Sequence, residues 1–123
     1  MITLQPISEN NFNDVLKLKA TEDFVAPNWY SLADAYVSLK QTVDEGKPPH
    51  LAEMPFAILH DKTVVGFAMM CFEDGKDIDA DGEIFWLSRF MIDEMYQRKG
   101  YGRAAMKQLI DLVKAKLNDC EAK

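Results

Sequence analysis

Six residues, Gln97-Arg98-Lys99-Gly100-Tyr101-Gly102, carry the pattern in this chain that is best suited to chemistry. They follow an apolar, strand-like run over residues 84–92 and lead into a helical pattern that starts near Arg103. Glycine lets the backbone turn sharply and lets a ligand approach without a side chain in the way. A helix beginning just after the turn aims its free N–H groups and positive dipole end at the same place. The chemistry of such a junction is anion binding, and a phosphate is the natural guest.

The elements that must position this loop are read from periodicity. Ile2, Leu4 and Pro6 lie in a short alternating segment that reads as a first strand. After the turn-like Ser8-Glu9-Asn10, the residues Phe12, Val15, Leu16 and Leu18 have helical spacing. Over residues 29–43, Leu32, Tyr36, Leu39 and Val43 recur every three or four positions, which predicts a second amphipathic helix with Ser31 as its N-cap. The run Glu45-Gly46-Lys47-Pro48-Pro49 ends it. Two strand-like runs, 56–59 and 64–72, flank the polar His60-Asp61-Lys62-Thr63 and predict a hairpin. An acidic loop over 73–82 then precedes the strand at 83–92, and Ala105, Leu109, Leu112 and Val113 form the stripe of a final helix. The order is β-α-α-β-β-β-α, which predicts one domain over residues 1–123: a mixed α/β (α+β) protein with a central sheet. The last residues, 118–123, read as the turn after that helix.

Three kinds of phosphate loop compete for the glycines. A Walker-type loop needs Gly-Lys followed by Ser or Thr, whereas Lys99 precedes Gly100. Gly100-Tyr101-Gly102-Arg103-Ala104-Ala105 matches the dinucleotide pattern, and Asp119 lies downstream. That pattern sits tight against its strand, and here residues 93–99 intervene. A third reading fits better. The segment Glu83-Ile84-Phe85-Trp86-Leu87-Ser88-Arg89-Phe90-Met91-Ile92-Asp93, followed by Tyr96-Gln97-Arg98-Lys99-Gly100-Tyr101-Gly102, closely resembles the acetyl-CoA-binding core of the GNAT N-acetyltransferases. The upstream element order resembles that family as well. Trp86, Arg89-Phe90-Met91 and Tyr96-Gln97 look most like its bacterial diamine and polyamine acetyltransferase branch.

The resemblance implies a GNAT-like sheet and acetyl-CoA as cosubstrate. It places the CoA pyrophosphate on the amides of Arg98, Lys99, Gly100, Tyr101, Gly102 and Arg103, beside Gln97. The pantetheine arm would pair with the backbone of Phe90, Met91 and Ile92, as a strand adds to a sheet edge. The reaction implied is attack of a neutral amine on the thioester, with a backbone N–H near Met91 stabilising the oxyanion. A carboxylate must first remove the amine's proton, and Glu83 is the leading choice, ahead of Glu73, Asp77, Asp79 and Asp81. Glu83 reads equally as an exposed strand-end carboxylate.

Other residues have plainer readings. Trp29, Tyr30 and Tyr36 lie where the family's first helices wall the acceptor site, but such aromatics usually serve packing. Tyr96 and Tyr101 read as packing or surface residues, His50 and His60 as solvated histidines, and Met69, Met70, Met91, Met95 and Met106 as core filling. Cys71 and Cys120 make no disulfide framework, and no His or Cys pair has metal-ligand spacing.

Net charge is −6, which opposes nucleic-acid binding and favours a cationic small molecule, unless the acidic run is only a solvated loop. Hydrophobic residues at 48% and charged residues at 28% describe an ordinary globular chain. No apolar stretch approaches a membrane span, and no signal peptide is legible, so a reduced cytoplasmic setting is expected. Members of the resembled family continue past the third helix with a β-α-β-β part that includes a tyrosine general acid. The resemblance therefore implies a C-terminally short domain with no assignable general acid. It also raises two further expectations: a homodimer, in one form with exchanged elements, and, as the alternative to an active enzyme, an inactive CoA-binding or self-associating fragment.

Overall fold

The computed structural model describes residues 1–19, 27–74 and 83–121. Its elements are β1 (Ile2–Pro6), α1 (Phe12–Leu16), α2 (Asn28–Asp44), β2 (Met54–His60), β3 (Thr63–Asp74), β4 (Glu83–Ile92) and α3 (Tyr101–Glu121). Short 3-10 turns at Pro49–Leu51 and Glu94–Tyr96 complete the order, which is the one the sequence predicts. The described strands form one antiparallel sheet in the order β1-β2-β3-β4, so β4 is an edge. The predicted final turn is instead helix, since α3 continues to Glu121.

Antiparallel strands send alternate side chains to opposite faces. One face meets α1 and α2 through Ala57, Leu59, Phe67, Met69 and Met91, packed on Val15 and Ala35. The other face meets α3 through Ile58, Ala68 and Ile92 against Ala105, and through Phe56 and Met70 against Leu109. Gly66 sits where β3 and β4 approach closely: a Cβ there would lie 2.4 Å from the Met91 carbonyl oxygen and 2.9 Å from Ile92 Cδ1. The β2–β3 turn is polar and tight. Asp61 in it adopts φ 54° and takes an ion pair from the Met1 ammonium at 3.0 Å. His60, read from the sequence as solvated, stacks on Tyr101 with ring centroids 4.6 Å apart, which ties the hairpin end to the start of α3.

The buried side of α2 is not the predicted one. Asn28, Ser31, Ala35 and Thr42 face inward, while Tyr36 is 71% exposed and Leu39 and Val43 are also exposed. Ser31 is not the cap. Pro27 holds that position, with no side-chain cap bond. The reason is distant in sequence. Arg89 on β4 donates to Ser31 Oγ at 3.0 Å and to Asn28 Oδ1 at 2.8 Å, and these two polar side chains turn the helix toward the sheet. Trp29 and Tyr30 are exposed rather than packed, and Met95, expected in the core, is 77% exposed. Met69, Met70 and Met91 are buried as expected.

Candidate functional site

The loop between β4 and α3 is built from its first residue. Asp93 is buried, and its carboxylate accepts the amide N–H of Lys19 at 2.8 Å and of Met95 at 2.9 Å. Its own N–H donates to the Val65 carbonyl at 2.8 Å. Gln97 folds back, its Nε2 donating to the Ile92 carbonyl at 3.0 Å. Beyond it, Arg98 at φ 66° and Gly100 at φ 82° both take the left-handed conformation, which turns the chain into α3. The first bond of the helix runs from Ala104 N–H to the Gly100 carbonyl. The amides from Arg98 to Arg103 have no acceptor among the described residues, as expected where a helix begins.

The two glycines are not equivalent. A Cβ on Gly100 would meet nothing within 4 Å, so its surroundings are open and its need for glycine lies in φ. A Cβ on Gly102 would sit 3.7 Å from Ile92 Cγ1, an ordinary contact, so Gly102 faces β4 rather than the open side. Arg98, Lys99 and Arg103 are exposed around the turn and make no ion pair among the described residues.

Beside the loop lies the free edge of β4. The Asp93–Val65 bond fixes the ladder's alternation, which puts Met91 in a hydrogen-bonding pair with Phe67. The N–H and C=O of Phe90 and Ile92 therefore point to the open edge, and the Met91 amide points into the sheet. In side chains the reverse holds: Phe90 and Ile92 pack with α3, and Met91 packs with α1 and α2.

A register shift opposite Met69 and Met70 makes Ser88 a bulged residue, so Ser88 and Arg89 both come to the α2 face. The Arg89 guanidinium lies 5.9 Å from the Phe67 ring centroid, and its Nε is buried without a partner. Burial holds its pKa below the usual arginine value. Ser88 donates to the Glu53 carboxylate, at 2.9 Å to Oε1 and 2.7 Å to Oε2. The Glu53 backbone is in turn fixed by its N–H donating to Ser38 Oγ on α2 at 3.1 Å. Trp86, on the same face by its register with Cys71, is 47% exposed. Between α2, α3, β1 and the start of β2 lies a cleft of about 980 Å³ with a mostly apolar lining that includes Leu32, Tyr36, Leu39, Met54 and Leu112. Among the described residues, Glu53 is the one charged residue in that lining.

Sequence reasoning did not find Glu53, Ser88 or the Arg89–Asn28–Ser31 set. The only available signal was the polar pair Ser88-Arg89 inside an apolar strand. Glu83 opens β4 opposite Asp74, and Glu73 lies near the end of β3. Their side chains, and Asp77, Asp79 and Asp81 entirely, lie outside the described residues.

Against known proteins, residues 18–122 match the acetyltransferase (GNAT) family. The chain belongs to that family. It is 31% identical over 120 residues to the spermine/spermidine N(1)-acetyltransferase of Bacillus subtilis strain 168, a match covering 98% of this chain and 72% of the relative. A protein of Bacillus subtilis subsp. natto described as a probable spermine N(1)-acetyltransferase is 30% identical over the same length, with the same coverage. In fold, the chain resembles a GNAT family acetyltransferase of Staphylococcus aureus at a TM-score of 0.64 and 18% identity, covering 93% of this chain and 78% of that one. It also resembles a mutant toxin solved with the C-terminus of its antitoxin, at a TM-score of 0.61 and 17% identity, with 94% and 68% covered. Among the described residues no helix is long and apolar enough to cross a membrane.

Proposed function

We propose that this chain transfers the acetyl group of acetyl-CoA to a primary amine, a diamine or polyamine. The observation that carries this reading is the row of amides from Arg98 to Arg103 without acceptors among the described residues, set beside the edge strand β4. Those amides, with the left-handed turns at Arg98 and Gly100, hold the diphosphate, and Lys99 and Arg103 add positive charge. The open surroundings of Gly100 fit a group of that size. Gln97, tied to Ile92, keeps the loop against the strand.

The edge groups of Phe90 and the N–H of Ile92 pair with the amide-bearing arm of the cosubstrate, while the Ile92 carbonyl holds Gln97 and Met91 supports the strand from the opposite face. Acetyl-CoA supplies an electrophilic thioester carbonyl. The N–H of Phe90, one residue from Met91, is the edge donor best placed to take the developing oxyanion. Glu83 at the head of the strand accepts the proton of the incoming amine. A net charge of −6 and two relatives named for spermine or spermidine acetylation support a cationic acceptor. The cytoplasm, where acetyl-CoA is made and used, is the proposed setting. Thiol release with acetyl-CoA and spermidine tests the reading. It fails if no thiol is released above the rate with acetyl-CoA alone.

A second reading, a CoA-binding protein that self-associates without turnover, is favoured by the exposed apolar residues Trp29, Tyr36 and Val43 on α2 and by the open β4 edge. It predicts a homodimer by light scattering and CoA binding without thiol release.

A further inference from the structure

We infer that Glu53 is the carboxylate that recognises the acceptor's ammonium group, with the acceptor's hydrocarbon chain lying in the cleft beside it. The inference deepens the amine-acceptor reading above and concerns the binding of that amine alone.

Three observations converge on Glu53. It is half-buried, and its carboxylate has no cationic partner among the described residues; its one side-chain contact is the neutral Ser88 hydroxyl. A carboxylate held at the wall of an apolar cleft is stabilised by a cation, and the described residues supply none. Among the described residues, Glu53 is also the sole charged one lining a large and mostly apolar cleft. An apolar cleft with one anionic group suits a molecule that joins methylenes to an ammonium, since Leu32, Leu39 and Met54 cover the methylenes and Tyr36 presents a ring to positive charge.

The third observation is position. Ser88, the partner of Glu53, is the bulged residue of β4, two residues before Phe90 on the strand edge proposed to carry the thioester. Glu53 therefore joins the cleft to the reacting strand. Its backbone bond to Ser38 and its side-chain bond to Ser88 fix the carboxylate between α2 and β4 before any ligand arrives.

The test is calorimetric titration of the CoA-saturated chain with spermidine, comparing wild type with Glu53→Gln. Glutamine keeps the size and an acceptor oxygen for the Ser88 hydroxyl but removes the charge. The expected result is spermidine binding weakened about tenfold to a hundredfold, as for loss of a charge-assisted hydrogen bond, with CoA affinity and melting temperature unchanged. Hexylamine, with one ammonium and a plain chain, should lose affinity in parallel. Unchanged spermidine affinity in Glu53→Gln, or no spermidine binding to wild type, overturns the inference. Should the variant misfold, amide chemical shifts of wild type decide. Shifts on adding spermidine should centre on Glu53, Ser88 and Tyr36, and shifts confined to residues 98–103 overturn it. Spermidine held through Glu53 without any thiol release would defeat the transferase reading and leave this one standing.

Discussion

Replacing Gly100 with valine isolates what the loop does, because the structure supplies a matched control. Gly100 at φ 82° and Gly46 at φ 74° share a left-handed backbone, and at both a Cβ would meet nothing within 4 Å. Valine at either site should cost about 1–2 kcal/mol of stability from handedness alone. Urea denaturation should therefore give the two variants similar midpoints, both below wild type. Binding should separate them. At Gly100 the branched side chain occupies the space in front of the free amides, and displacing a phosphate from even one of them removes about 1.5–3 kcal/mol, tenfold to more than a hundredfold in Kd. At Gly46, where α2 ends, it should change nothing. Calorimetric titration with acetyl-CoA reads both effects. A Gly100→Val chain that binds acetyl-CoA within twofold of wild type would refute the assignment of the diphosphate to this loop.

Two further outcomes follow from other parts of the molecule. Gly66→Ala should lower stability by about 1–3 kcal/mol, the usual range for overpacking, since the new Cβ would sit 2.4 Å from the Met91 carbonyl oxygen; a urea midpoint equal to wild type would count against the close β3–β4 approach. Asp61 should titrate below the ordinary carboxylate value of 3.8, held down first by its hydrogen bond from the Met1 ammonium and then by the charges of that ammonium and of His60. Its folded pKa is lowered, so its small stabilising contribution is present above the ordinary value and disappears as pH falls through the folded one. An NMR titration should show the Asp61 carboxyl returning toward its usual range when the Met1 amine is blocked, and no change on blocking would refute the pairing.

Most of the element order was legible because local signals agreed. The apolar runs 56–59 and 64–72 flank a short polar turn and became β2 and β3, and the run 84–92, rich in Ile, Phe and Leu, became β4. The sharp turn before α3 was legible from Gly100, which adopts φ 82°, whereas the left-handed Arg98 beside it carried no signal in its residue type. What stayed hidden depends on contacts between residues far apart in the chain. The inward face of α2 is set by Arg89, 58 residues beyond Ser31 and 61 beyond Asn28, so of the apolar stripe only Leu32 packs on the core, while Tyr36 and Leu39 are exposed at the cleft. Glu53 meets Ser88 across 35 residues, and only because a bulge in β4 turns Ser88 to that face. Periodicity cannot register a bulge, which shifts the face of every following residue. Met95 read as core because methionine is apolar, yet it lies on the short turn after β4, where the chain has already left the sheet.

The imidazole of His60 lying flat against the phenol of Tyr101 gives the molecule its own magnetic reporter. Aromatic circulation should displace the histidine ring protons upfield, and the displacement depends on how squarely the two rings overlap. Tyr101 is the first residue of α3, so any tilt of that helix as its amides close on a guest should be visible in the resonance of a histidine that belongs to another strand and touches the loop through this ring.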